Sequence, residues 1–171
     1  MGVLDEWRYC PRCAEAIAIA DGRAECAACG FVSYANSAPT ASALVEDAAG
    51  RLLLARRAIE PYRGKWDIPG GFLEEGEHPV EALRRELREE TGLEIEPREF
   101  FGAWIDRYGD DAGAAYTLNL FWRASAPPGA KPRPADDVDE LRFFARGELP
   151  PPSEVAFTTV VDVVRAWEQD A

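Results

Sequence analysis

The stretch GGFLEEGEHPVEALRRELREETGL, residues 70–93, places seven glutamates in 24 residues. A solvated helical face is the ordinary reason for such a run, but the positions of these acids point to something narrower. Pro79 suits a first helical turn and Gly92 suits the residue just past a last one, so a helix is expected over 79–91. At roughly 100° per residue, Val80, Leu83 and Leu87 form an apolar stripe that must face a core. Glu86, Glu89 and Glu90 fall in one arc beside that stripe, while Glu81, Arg84 and Arg88 occupy the far face as ordinary i,i+3 and i,i+4 partners. Carboxylates at i, i+3 and i+4 repel one another, and a bound cation reverses the sign of that cost. All-oxygen ligation suits Mg²⁺ or Mn²⁺. The preceding Gly70-Gly71 lets the backbone approach closely enough to add a carbonyl.

Around this segment the chain reads as a mixture of strands and two helices. Residues 41–47, 47–50 and 51–57 suggest a β-hairpin, 59–66 a loop, and 66–71 a short strand ending in a breaker. Strands are expected at 99–108 and 114–125 about a polar turn at 109–113. A Pro-rich loop covers 126–137, a further strand 139–145, and an amphipathic helix 154–169 closes the chain. Residues 33–40 read as a linker or extended lead-in. The expectation is an α+β fold, a sheet between helices.

All four cysteines lie in the first 29 residues, as CPRC at 10–13 and CAAC at 26–29. Two C-x-x-C knuckles with twelve residues between them can point Cys10, Cys13, Cys26 and Cys29 at one tetrahedral Zn²⁺. Residues 1–37 are too few to build a core of their own, which favours a structural zinc. That segment has three arginines, no lysine and five acids, whereas a ribbon that grips phosphates should be basic. The division expected is 1–37 as a zinc ribbon and 38–171 as a second domain.

The formal net charge of −12 opposes broad contact with a nucleic-acid backbone and suits a protein that gathers divalent cations. No apolar run approaches the roughly 18 residues a bilayer span needs, and the first residues lack the pattern of an export signal. A cytoplasmic protein is the default. His78, the single histidine, reads as a residue at the helix start and not as a nucleophile's partner.

Gly71, five residues, Glu77, seven residues, then Arg85-Glu86-Leu87-x-Glu89-Glu90-x-Gly92-Leu93 resembles the Nudix box, G-x5-E-x7-R-E-U-x-E-E-x-G-U with U aliphatic. The resemblance implies a Nudix α/β/α sandwich with a mixed sheet, and hydrolysis of a nucleoside diphosphate linked to another moiety, by water attack on phosphorus with Mg²⁺ or Mn²⁺. It implies that Glu89, Glu90 and the Gly71 carbonyl hold metal, that Glu86 binds metal or acts as general base, and that Arg85 and Glu77 orient the others. An acid outside the box often completes the site; Asp136, Asp137, Asp139 and Glu140 are candidates, with Glu140 and Asp137 favoured.

The cysteine pairs ahead of the box make the chain similar to a narrower group that includes NADH pyrophosphatases and enzymes cleaving FAD or ADP-ribose to give AMP. The S-Q-P-W-P-F-P array of the NADH-type members is absent, and AFTT (156–159) with IEPYRGKW (59–66) look more like the FAD and ADP-ribose branch. The proline found about fifteen residues past the box in many ADP-ribose enzymes is replaced by Tyr108. Arg57 and Arg63 are candidates for phosphate contact, and Tyr108 and Phe157 for stacking on a base. A homodimer acting on a small nucleotide diphosphate is expected. The alternative is a non-catalytic nucleotide-sensing regulator that uses the ribbon as an interaction module. Removal of damaged nucleoside triphosphates is a third reading, distinguished by its products.

Overall fold

The structure is a computed structural model and describes residues 3–109 and 115–170. The chain divides into two compact units, Met1–Ala38 with Arg107–Thr117, and Pro39–Asp106 with Leu118–Ala171. In the first, β1 (Ala18–Ala20), β2 (Arg23–Glu25) and β3 (Val32–Tyr34) form a small antiparallel sheet. Its cysteine knuckles repeat one hydrogen-bond pattern. The Cys10 amide donates to the Glu15 carbonyl and Ala14 N–H to the Cys10 carbonyl; the Cys26 amide donates to the Phe31 carbonyl and Gly30 N–H to the Cys26 carbonyl. Ala14 (φ 62°) and Gly30 (φ 71°) hold the same left-handed position.

The main sheet contains β4 (Ala38–Glu46), β5 (Leu52–Arg57), β6 (Trp66–Asp67), β7 (Gly70–Phe72), β8 (Pro97–Tyr108), β9 (Ala115–Ser125) and β10 (Val138–Phe144). Its spine runs β10-β5-β4-β9-β8, with β6 beside β5 and β7 beside β4. It is a mixed sheet in an α+β architecture. Alternation along the strands assigns its two faces. Leu44, Leu52 and Leu54 point into one core with Val160, Val163 and Trp167 of helix α2 (Thr158–Gln169). Ala43, Val45 and Leu53 point into the other, with Leu83 and Leu87 of helix α1 (Pro79–Thr91). Burying each such leucine contributes roughly 1.5–3 kcal/mol, which fixes the register of the sheet against both helices. No helix among the described residues is long and apolar enough to cross a membrane.

The hairpin of β4 and β5 pairs at Glu46 and Leu52, beside its turn. Further along, β7 pairs with β4 and β6 with β5, so the segment WDIPGGF is seated on both strands. Two expectations change here. Of residues 33–40, read as a linker or extended lead-in, 33–34 end β3 and 38–40 open β4 as extended backbone, and only 35–37 connect them, because the flanking backbone finds sheet partners that the local sequence does not advertise. The last helix begins at Thr158 and not at residue 154: Pro152–Glu154 form a 3₁₀ turn, Val155 bridges Trp66, and Phe157 stays extended. The expected turn at 109–113 lies, past Gly109, outside the described residues.

Candidate active site and metal centres

Helix α1 begins and ends where its caps predict. His78 Nδ1 accepts the Val80 N–H at 3.3 Å, Pro79 opens the first turn, and Gly92 (φ 68°) closes the last by donating to the Arg88 carbonyl. Arg84 pairs with Glu81 at 2.6 Å on the far face. The three glutamates beside the apolar stripe sit at three depths. Glu89 is exposed, Glu86 is largely covered, and Glu90 is buried, with 7% of its surface exposed.

Arg85 gathers Glu86 and Glu89 together with Glu77. Its Nε and Nη2 donate to the two oxygens of Glu77, each at 3.0 Å; Nη1 donates to Glu86 (2.8 Å) and Glu89 (3.1 Å), and Nη2 also to the Phe72 carbonyl (3.0 Å). Glu77 accepts the Glu74 N–H at 3.0 Å, pinning the loop before the helix. The paired guanidinium holds the Glu77 carboxyl below its ordinary range. Burial pushes Glu86 up, more than Arg85 can offset, with Glu89 and Asp137 adding repulsion. Burial pushes Glu90 well above the usual range, and Asp137 adds to it, against the Gly70 N–H that donates to it at 2.9 Å.

The glycine pair meets the helix without room to spare. A Cβ on Gly71 would lie 2.5 Å from Glu86 Cδ, and one on Gly70 (φ 142°) 2.3 Å from the Ala41 carbonyl oxygen. Gly70-Gly71 therefore opens β7 directly after a bend at Pro69, pressed against both β4 and the carboxylates.

Beyond the box, Asp137 and Asp67 line a small cavity with Arg57, Gly70 and Glu90. Asp137 is delivered by the Pro-rich loop, whose Arg133 and Ala135 N–H groups donate to the Thr91 and Glu90 carbonyls at the end of α1; the Asp137 carbonyl accepts from Ala58. Of the other candidate acids, Glu140 points to Arg56 at 3.4 Å, and both are substantially exposed. Arg57 pairs with Asp67 at 3.0 Å, donates to the Pro61 carbonyl at 2.8 Å and lies over the Phe157 ring. Arg63 is exposed on its loop, and Tyr108 belongs to the first unit. Asp67 was not among the residues expected from sequence. The signal that marks it is an acid two residues before Pro-Gly-Gly, with an arginine ten residues upstream.

The donors suit a hard divalent cation. They are all oxygen, and Glu90 is a buried carboxylate that forms no ion pair among the described residues, an arrangement that costs stability unless a proton or cation answers it. The cysteines form a second centre. Their four sulfurs lie within 4.8 Å of one another, with Cys10–Cys29 and Cys13–Cys26 both at 3.6 Å. Tetrahedral Zn–S bonds of about 2.3 Å space sulfurs about 3.8 Å apart, so this cluster could hold zinc. Burial pushes the Cys10 thiol up, but the Arg12 and Cys13 N–H groups and neighbouring thiols outweigh it and bring it down to about 7.

Comparison with known proteins agrees with this geometry. An ADP-ribose pyrophosphatase of Methanocaldococcus jannaschii is 32% identical over 100 residues, covering 58% of this chain and 57% of that protein. The NAD-capped RNA hydrolase NudC of Pseudomonas aeruginosa is 26% identical over 146 residues, covering 84% of this chain and 50% of that protein. The chain thus spans about half the length of these curated relatives. A crystal structure of a NUDIX hydrolase from Nitrosomonas europaea superposes with a TM-score of 0.78 at 26% identity, covering 96% of this chain and 92% of that one. The family model described as NUDIX domain matches residues 36–160, and the chain belongs to the Nudix family.

Proposed function

We propose that this protein is a divalent-metal-dependent pyrophosphatase that cleaves the diphosphate of a nucleotide joined to a second moiety, such as ADP-ribose or FAD, releasing AMP. The observation that carries the reading is the gathering of three glutamates at the Gly70-Gly71 backbone, Glu86 and Glu89 held by Arg85 and Glu90 by the Gly70 N–H. Glu89, Glu90 and the Gly71 carbonyl would hold Mg²⁺ or Mn²⁺, with Asp137 in preference to Glu140 as the added acid. Bound there, such ions neutralise the diphosphate and lower the pKa of a water. Glu86, its carboxyl raised by burial, would serve as the general base for the attacking water. Arg85 holds Glu86 and Glu89 on one nitrogen in fixed orientations, and Glu77 holds Arg85. Residues 1–37 act as a zinc-stapled ribbon and 38–171 as the hydrolytic domain.

ADP-ribose is the first substrate to test, because an ADP-ribose pyrophosphatase is among the relatives. The NudC relatives act, by name, on NAD-capped RNA, so NADH and an NAD-capped oligonucleotide belong beside it. Purified protein with Mg²⁺ should release AMP from one of ADP-ribose, FAD or NADH by chromatography, and Glu89→Gln should abolish the release. Tight binding of a nucleotide without turnover would instead support a sensing role.

A further inference from the structure

The WDIPGG segment carries Gly70 and Gly71 to the carboxylates of α1, and the hydrogen bonds and ion pair that hold the start of that segment come from outside the Nudix box. Asp67 makes them. Its Oδ1 accepts the N–H of Ile68 at 2.8 Å, closing the chain on itself as the turn begins, and its Oδ2 is held by Arg57 Nη1 at 3.0 Å. Two bonds later the Pro69 carbonyl accepts from Ala43 at 3.0 Å, and Gly70 N–H then donates to Glu90. Arg57 is fixed in turn: Nε donates to Pro61, its backbone N–H to Lys65 and its carbonyl accepts from Gly64. Its guanidinium lies 5.3 Å from the centre of the Phe157 ring, just before α2. Both side chains of the pair are mostly covered, at 12% and 17% exposure, so solvent screening does little to loosen them.

The pair also faces the acids. Asp67, Arg57, Glu90 and Asp137 line one cavity, in which Arg57 is the cation that lets a further carboxylate stay beside Glu90 and Asp137. We propose that Asp67, clamped by Arg57, is a positioning residue for the metal-holding turn: it sets where Gly70 and Gly71 stand relative to Glu86 and Glu90, and so sets cation affinity. This rests on the reading that those glutamates hold divalent metal. Residues that orient metal-holding groups typically change affinity or activity by about 10- to 100-fold when altered.

The test is a titration of the full-length protein with Mn²⁺, following free ion by electron paramagnetic resonance, for wild type, Asp67→Asn, Arg57→Lys and Arg84→Ala. Arg84 serves as a control because it pairs with Glu81 and Glu96 on the far face of α1. Asp67→Asn should weaken Mn²⁺ binding by about tenfold or more with the melting temperature little changed, and Arg84→Ala should bind as wild type does. Arg57→Lys keeps the charge but loses the planar fork and should show the same weakening, which covers the case of Asp67→Asn failing to fold. Wild-type affinity in a folded Asp67→Asn, or a lowered melting temperature with affinity intact, would reduce the pair to a structural strut and overturn the proposal. If wild type itself binds no Mn²⁺ while Asp67→Asn is folded, the reading of the glutamates falls and the proposal falls with it.

Discussion

Arg85 and Glu77 meet fork to fork, through two parallel hydrogen bonds of 3.0 Å each, eight residues apart across the start of α1. The remaining nitrogen of Arg85 reaches Glu86 and Glu89. A lysine could supply the charge but not this geometry. Arg85→Lys should therefore lower kcat at least about tenfold while far-ultraviolet circular dichroism stays unchanged. Wild-type kcat in that variant would show that charge alone suffices.

The same pair gives stability a pH dependence. The carboxyl of Glu77 titrates lower in the folded protein than in the unfolded chain, so its contribution is fully present above about pH 4.3, the ordinary glutamate value, and is lost as pH falls through the depressed one. Urea unfolding of wild type and Glu77→Gln should show a gap near neutrality that narrows below that value. A gap independent of pH would place the origin of the effect elsewhere.

Glu90 has the opposite sign. Its carboxyl is pushed up by burial, so carrying its charge costs the metal-free fold stability, and that cost grows as pH rises above the ordinary glutamate value. Glu90→Gln keeps an oxygen for the Gly70 N–H and removes that charge. The variant should melt higher than metal-free wild type and lose Mg²⁺-dependent turnover by at least about tenfold. A lowered melting temperature would mean that the buried charge is already compensated in the free protein.

The two glycines should fail differently. Gly71→Ala drives a Cβ into the Glu86 carboxylate, a side chain that can move; Gly70→Ala drives one into the Ala41 carbonyl, in a backbone conformation that suits glycine. Overpacking of this kind costs about 1–3 kcal/mol. Gly71→Ala should stay folded with impaired turnover, and Gly70→Ala should lose more stability on thermal melting. Equal losses in both would contradict the distinction.

In the ribbon, the four sulfurs predict stoichiometric zinc by elemental analysis, lost in Cys26→Ser together with resistance of residues 1–38 to protease. Ala14 takes the left-handed conformation that Gly30 takes in the equivalent knuckle, at a cost of roughly 1 kcal/mol. Ala14→Gly should slow zinc release to a chelator. No change would mean that the metal, and not the backbone, limits release.

Sequence by itself determined whatever depends on residues close together in the chain. The ends of α1 follow from Pro79 and Gly92, its inward face from Leu83 and Leu87, and the Arg84–Glu81 pair from helical spacing. The grouping of Cys10, Cys13, Cys26 and Cys29 follows from two short knuckles. These are local effects, set by backbone sterics and by one helical period. Tertiary structure decided what depends on strand register and burial. It made residues 38–40 a strand, extended Gly70-Gly71 along β4, and ranked Glu86, Glu89 and Glu90 by depth. It brought Asp137 and Asp67 to Glu90 across dozens of residues while turning Glu140 toward Arg56. Spacing in the chain carries no record of those distances, because a carboxylate's environment is set by the strands and loops that close over it.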